Sequence, residues 1–377
     1  MPPDQQSVVV QKERKWVRVI YGLPLLLGVF GAQKTMGVVV GQLSPTLMAS
    51  VKSGTIVLGN GEVAPLVRTF FNIKGLDTFL SILVTFFTPI LGDFDPMAKL
   101  QAVAFGADLV PFQVVWYIEG IRRGNAYTVA HLLPTVLGIL YQAKGLGFIA
   151  PIYFFLHYIQ SPLENYQPAE NRLTNMRAVK TIIPTIVLTF LLPTIVMMAA
   201  PQLEGRQWVN GLFWQLFPLY GAICQRALGL LVNDTTEVDR ISSPEADMPY
   251  LRLAYGLSAG FAACANLYVR FASPFPLMDI FFKDIANPSA PATLMQGAAR
   301  FLRYDHIIAL GAGTIWVMLS LGDLKSAGRL QAGWAKIIGA FGAIALVGGP
   351  GSAMVAMWAW REEILAKRKP VPVGKIE

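Results

Sequence analysis

The sequence predicts an all-α fold: a polytopic transmembrane helical bundle of eight to ten spans, with kinked helices around a central cavity. Three observations predict it. Only 14% of the 377 residues are charged, whereas a soluble surface needs roughly 25–35%. Hydrophobic residues make up 54%, and they fall in blocks of about 15–24 residues, long enough to cross a bilayer. Prolines interrupt several of those blocks, at Pro111, Pro151, Pro184 and Pro193, and each frees a backbone carbonyl that a neighbour must satisfy in lipid. So few charges also leave no room for a disordered chain, which needs the opposite composition. Residues 1–377 therefore read as a single integral-membrane domain.

The elements follow in order. Residues 1–15 are a polar, basic N-terminus with Lys12, Arg14 and Lys15. The apolar run behind it, Trp16–Ala32, is the first span, with no convincing small-residue cleavage site, so it is expected to stay uncleaved. Residues 33–72 carry Gly41, Gly54, Gly59, Gly61 and Pro65 and are expected to form a long non-spanning loop. Nine further spans are expected near Gly75–Gly92, Met97–Gly120, Tyr127–Tyr141, Gly147–Gln160, Thr181–Ala200, Trp208–Leu231, Leu251–Tyr268, His306–Leu321 and Ile337–Trp360. The weakest separation is at Lys144-Gly145; if residues 127–160 are one broken element, the count falls. Residues 361–377 form a basic C-terminal tail with Lys367, Arg368 and Lys369.

The formal net charge is +8. Its basic residues gather at chain ends and loops, where the positive-inside rule puts them. No DNA- or RNA-binding motif accompanies them, so membrane lipid and not nucleic acid is the expected partner. Cys224 and Cys264 lie inside apolar blocks; with no Cys-x-x-Cys or Cys/His cluster, a metal site is not expected.

Ionisable groups inside spans are costly and usually functional. Asp108 is the most deeply placed. It has no basic residue within a helical turn, so any partner comes from another helix. Glu119 follows eleven residues later, which places both carboxylates on nearly one helix face, about 16 Å apart along the axis. That separation is too large for a pair sharing one proton. Each also has a plainer reading: Glu119 as an ion pair with Arg122 or Arg123, Asp108 as a polar contact between helices.

Phe154, His157, Tyr158 and Ser161 share a face at i, i+3, i+4, i+7. Pro162 ends that span, and Glu164 lies just beyond. As a substrate wall, Trp116, Phe154, His157, Tyr158 and Glu164 are the candidates; a membrane-interface belt is the plainer reading. Asp305 opens a span beside His306. The two point about 100° apart on a helix and do not enter one site easily, and an acid there also suits the helix dipole. Asp93 and Asp95-Pro96 fit a turn and helix cap. Phe213, Phe217 and Tyr220 stand at i, i+4, i+7 with Trp214 beside them. Aromatic faces turned inward attract a cation.

A channel wants repeated polar residues lining a pore, and a transporter wants internal repeats; neither pattern is evident. A magnesium-dependent intramembrane prenyltransferase needs two Asp-rich motifs. Asn233-Asp234-Thr-Thr-Glu237-Val-Asp239 approaches the first and Asp279-Ile-Phe-Phe-Lys-Asp284 is offered as the second, at the wrong spacing. The prenyltransferase and a small-molecule transporter stand as the alternatives.

The remaining class protonates an apolar substrate inside a membrane cavity. The run Gly92-Asp-Phe-Asp95-Pro, Ala107-Asp108-Leu-Val-Pro111 and Trp116-Tyr-Ile-Glu119-Gly-Ile-Arg122-Arg123 resembles fungal integral-membrane terpene cyclases of meroterpenoid pathways, of the ascochlorin and ascofuranone type. So does Pro151-Ile-Tyr-Phe-Phe-Leu-His157-Tyr with Ser161-Pro162-Leu-Glu164. The resemblance implies a class II, proton-initiated cyclisation of a prenylated phenol or its terminal epoxide. It implies Asp108, Glu119 and Asp305 as the catalytic acids, no metal and no cofactor, and a multi-pass place in the endoplasmic reticulum. The Asp-x-Asp-Asp motif of soluble class II cyclases is absent, and Asp93-Phe-Asp95 only echoes it.

Overall fold

The computed structural model describes residues 14–92, 94–132, 135–166, 168–232, 243–285 and 291–367. Its first helix, α1 (Lys15–Ala32), runs through a π-turn at Gln33–Gly37 into α2 (Val38–Ser53). Residues 33–53 are thus helix and not the expected loop. Met36, Val39, Leu43, Leu47 and Ser50 are buried at helical spacing, and this stripe outweighs Gly41 and Pro45. The helix stops at Gly54, whose φ of 75° favours glycine. A hairpin follows: β1 (Thr55–Val57) pairs antiparallel with β2 (Val63–Pro65), Ile56 opposite Ala64.

Next come α3 (Lys74–Leu91) and α4 (Pro96–Ile121). Asp95 caps α4: its Oδ1 accepts from the Met97 and Ala98 amides at 2.9 and 3.0 Å, with Pro96 at the first helical position. After α4 come α5 (Val136–Lys144), α6 (Leu146–Gln160), the short α7 (Ala169–Arg172), α8 (Met176–Ile186), α9 (Leu192–Ala199), α10 (Leu203–Val209), α11 (Phe217–Leu231), α12 (Met248–Ala272), α13 (Leu277–Phe282), α14 (Leu294–Ser326) and α15 (Trp334–Ala366). Helix α4 is buried along nearly its whole length and packs against α8, α12, α13, α14 and α15 as the central post.

Among the described residues, five helices are long and apolar enough to cross a membrane: Lys15–Ser53, Lys74–Leu91, Met176–Ala199, Leu294–Ser326 and Trp334–Ala366. The block expected over 127–141 is not a span of its own. Its helix α5 has nine residues, about 13 Å, against a hydrocarbon core of about 30 Å. Gly145, at φ 94°, breaks α5 from α6, so 136–160 is one broken element. The kinks have local causes. A π-turn at Val187–Leu191 lies between Pro184 and Pro193, and α15 breaks at Gly349 (φ 85°) before Pro350. Arg361 and Glu362 are buried within α15 and do not belong to the tail.

Candidate active-site cavity

The broken element α5–α6, together with α2, α3, α4, α9 and α14, lines an apolar cavity. Its walls are aromatic. Phe86 meets Phe87 and Phe301 edge to face, each at 5.1 Å between ring centroids, and Phe87 meets Trp214 at 5.1 Å. Phe105 and Tyr141 complete the ring set. Two wall residues, Val40 and Ala143, are also exposed on the outside of the bundle.

Asp305 is the one acid among the described wall residues. The Gly147 amide, in the first turn of α6, donates to its Oδ1. The break at Gly145 creates this arrangement, because it starts α6 where its free amides meet the carboxyl. A Cβ at Gly145 would stand 3.3 Å from Asp305 Oδ1, and one at Gly147 3.1 Å. Both positions need glycine for the approach. A helix N-terminus favours negative charge, so it suits the ionised form of the Asp305 carboxyl.

The other two acids lie elsewhere. Asp108 does not line the cavity. Its Oδ2 is 2.9 Å from His306 Nε2, and Asn266 Nδ2 donates to its Oδ1 at 3.1 Å, so its partners come from α14 and α12. Glu119 is fully buried at the far end of α4. Arg122 Nη2 bonds its Oε1 at 3.1 Å, and Asn125 Nδ2 its Oε2 at 2.8 Å. Arg122 continues to Glu362 Oε2 at 2.6 Å, and Arg361 reaches Glu362 Oε1 at 2.8 Å. His157 Nε2 stands 3.5 Å from Glu119 Oε2, while Trp316 Nε1 donates to His157 Nδ1 at 3.2 Å. Glu119 thus sits in an ion-pair network tying α4 to α15. Beside that network, burial and then the Glu119 charge push the Tyr166 phenol up to about 12.

Of the expected substrate wall, none of Trp116, Phe154, His157, Tyr158 and Glu164 lines the cavity. Phe154 stacks on Trp316 at 4.6 Å, and Trp316 on Trp358 at 3.9 Å. Tyr158 Oη donates to Asp323 Oδ1 at 3.2 Å. Trp116 packs on Tyr141 at 5.8 Å, behind the wall. Glu164 lies in the short turn Leu163–Tyr166. The shared face of α6 meets α14, so helical spacing identified a core face. Phe213 is exposed, whereas Trp214 lines the cavity, because a π-turn at Asn210–Trp214 breaks the spacing assumed for Phe213, Phe217 and Tyr220. Asp93 and the stretch 233–239 lie outside the described residues. Asp279 is on the exposed side of α13.

Fold and cavity together define the class: a helical protein with five helices long and apolar enough to cross a membrane and an acid set in an apolar, aromatic chamber. The chain belongs to the CtvD domain family, which matches residues 43–366. It is 37% identical over 275 residues to the FAD-dependent monooxygenase BOA8 of Botryotinia fuckeliana (strain B05.10), covering 73% of this chain and 35% of that protein. It is 29% identical over 362 residues to the FAD-dependent monooxygenase verC1 of Penicillium polonicum, covering 95% and 44%. It is also 29% identical over 278 residues to the terpene cyclase ascI of Acremonium egyptiacum, covering 70% of each. The chain thus spans less than half the length of the two monooxygenases. No solved structure matches it.

Proposed function

We propose that the chain is a membrane-bound, class II terpene cyclase of meroterpenoid biosynthesis. Its substrate is a prenylated aromatic or the terminal epoxide of one, and Asp305 is the proton donor. One observation carries this reading: an acid held by a helix N-terminus in the wall of an apolar cavity edged by aromatic rings.

The steps balance as an isomerisation. The Asp305 O–H protonates the epoxide oxygen, and the C–O bond opens to leave a hydroxyl and a carbocation. A chain double bond supplies its electron pair to that cation, forming a ring C–C bond and moving the charge onward. The final cation loses a proton, which balances the one supplied at the start. The Gly147 amide stabilises the Asp305 carboxylate meanwhile. Phe86, Phe105 and Phe301 offer π faces to the moving charge, and the apolar walls keep out water, which otherwise quenches it. No diphosphate leaves, so this step needs no metal.

The name of the Acremonium egyptiacum relative supports the reaction class. The monooxygenase names weigh less. Most of the length of those two proteins lies outside the region matched here, whereas the cyclase matches over 70% of its own length. We also place the chain as a single multi-pass domain of the endoplasmic reticulum membrane; its five long apolar helices support a membrane setting.

The test is Asp305→Asn in the full chain, assayed in microsomes with a farnesyl-phenol epoxide. Loss of a general acid lowers turnover by about 100-fold or more. Wild-type turnover by the variant would sink the assignment. Turnover that survives EDTA agrees with it, whereas the magnesium-dependent prenyltransferase alternative requires a loss.

A further inference from the structure

The buried pair Asp108–His306 stands behind the cavity wall, where the proposed reaction does not use it. On α4, Gln101, Phe105 and Asp108 fall at i, i+4, i+7 and share one face. On α14, Leu302 and His306 fall at i, i+4. The two faces interlock residue by residue. Gln101 Nε2 donates to the Leu302 carbonyl at 3.2 Å. Phe105 lies against the His306 imidazole at 4.7 Å between centroids, with 27° between the planes. His306 Nε2 meets Asp108 Oδ2 at 2.9 Å.

Phe105 also lines the cavity. One face of its ring is therefore covered by His306 while the residue forms part of the substrate wall. Phe281 closes the edge of His306 at 5.9 Å and 60°, so the imidazole is gripped from two sides and by Asp108. Asp108 is fixed in turn. Asn266 Nδ2 bonds it at 3.1 Å and is itself anchored on the Ala262 carbonyl at 2.9 Å. The break in α15 makes room for this: the backbone of Gly351 lies directly against Asp108, and that of Gly349 against Asn266. A side chain at Gly351 would collide with Asp108, and one at Gly349 with Asn266.

We propose that Asp108, with His306 and Asn266, is a positioning unit that holds the Phe105 ring at a fixed angle in the cavity wall and so sets which cation, and which product, the cavity favours. This rests on the cyclase reading. A cation–π contact acts only over the ring face and within about 6 Å of its centroid, so a ring free to turn stops selecting among cations. Asp108 therefore acts through His306 and Phe105 and donates no proton to substrate.

The proposal separates two substitutions at one position. In Asp108→Asn, Oδ1 still accepts from Asn266, and Nδ2 donates to His306 Nε2 once the imidazole takes its other tautomer. The geometry survives without the acid. In Asp108→Ala and His306→Ala it does not.

The experiment uses the full chain in lipid vesicles, with para-fluorophenylalanine at Phe105 for fluorine NMR and farnesyl-phenol epoxide for product analysis. Wild type and Asp108→Asn are expected to share one fluorine resonance and one product pattern. Asp108→Ala and His306→Ala shift or broaden the resonance and raise partly cyclised or water-quenched products about fivefold. Asp305→Asn loses turnover. Two results overturn the proposal: a fluorine resonance unchanged in both alanine variants, or an unchanged product ratio. If folded Asp108→Asn falls to the level of Asp305→Asn, Asp108 is the acid and the proposal fails. If wild type forms no cyclised product, the cyclase reading falls, and the fluorine resonance alone decides whether the unit fixes Phe105.

Discussion

Replacing Gly147 by alanine tests the link between the helix break and the chemistry without touching an acid. The new Cβ would stand 3.0 Å from Met36 Sδ, 3.1 Å from Asp305 Oδ1 and 3.3 Å from the Asp305 backbone oxygen. Apolar atoms at their optimal separation stand about 3.5–4.0 Å apart, so the carboxyl must move away by a few tenths of an ångström. Misplacing a catalytic group by 1 Å costs roughly 100-fold. A shift of about 0.3–0.5 Å then lowers kcat by about fourfold to tenfold. The methionine end of the contact is flexible, so the melting temperature in detergent falls little, by an amount matching about 1 kcal/mol. The assay is turnover per folded molecule with a farnesyl-phenol epoxide, set beside a fluorescence melting curve. Undiminished kcat at unchanged stability would refute the claim that the start of α6 places Asp305. A variant that melts far lower and keeps full turnover per folded molecule would refute it equally.

Three further outcomes follow from other parts of the bundle. Gly145→Ala combines a left-handed backbone (φ 94°) with contacts to Met36 and Phe301; it is expected to destabilise by about 2–3 kcal/mol, read as a lowered melting temperature. Glu119→Ala leaves Arg122 short of one of its two acids in the buried network, so stability drops by about 3–5 kcal/mol. The molecules that still fold keep their turnover, and a selective loss of kcat at wild-type stability would instead make Glu119 catalytic. Phe301→Leu keeps the wall apolar but removes the ring that meets Phe86. The early-quenched share of product is expected to rise about fivefold, and an unchanged product pattern would contradict a role for that face.

Composition carried the broad architecture, because a chain with 14% charged residues has no soluble surface to build. It carried less of the internal detail, and the reasons are local. Residues 33–53 contain two glycines and a proline, all tolerated in a lipid-facing helix, and those breakers hid the buried stripe from Met36 to Ser50. The face 154/157/158/161 was found correctly as a face; periodicity reports that residues point together, not whether they meet another helix or a space. Phe86, Phe87 and Phe301 were missed for the same reason. They share the wall because α3 and α14 bring Phe86 and Phe301 edge to face beside the break between α5 and α6.

The choice among acids shows the limit most sharply. Depth in a span made Asp108 the leading acid, because burial without a nearby cation on the same helix reads as an unspent proton. Depth and access are different properties. Asp108 is 1% exposed and Asp305 5%, so burial alone ranks first the carboxyl that does not line the cavity. What separates them is the company each keeps on other helices: an imidazole and an amide for Asp108, a helix N-terminus and an open apolar space for Asp305. The adjacency of Asp305 and His306 did encode part of this. Two neighbours about 100° apart on a helix must serve different sites, and here one faces the cavity while the other turns back to Asp108. The sequence thus held the divergent directions of the two neighbours in α14, and only the partner helices say which of them faces the cavity.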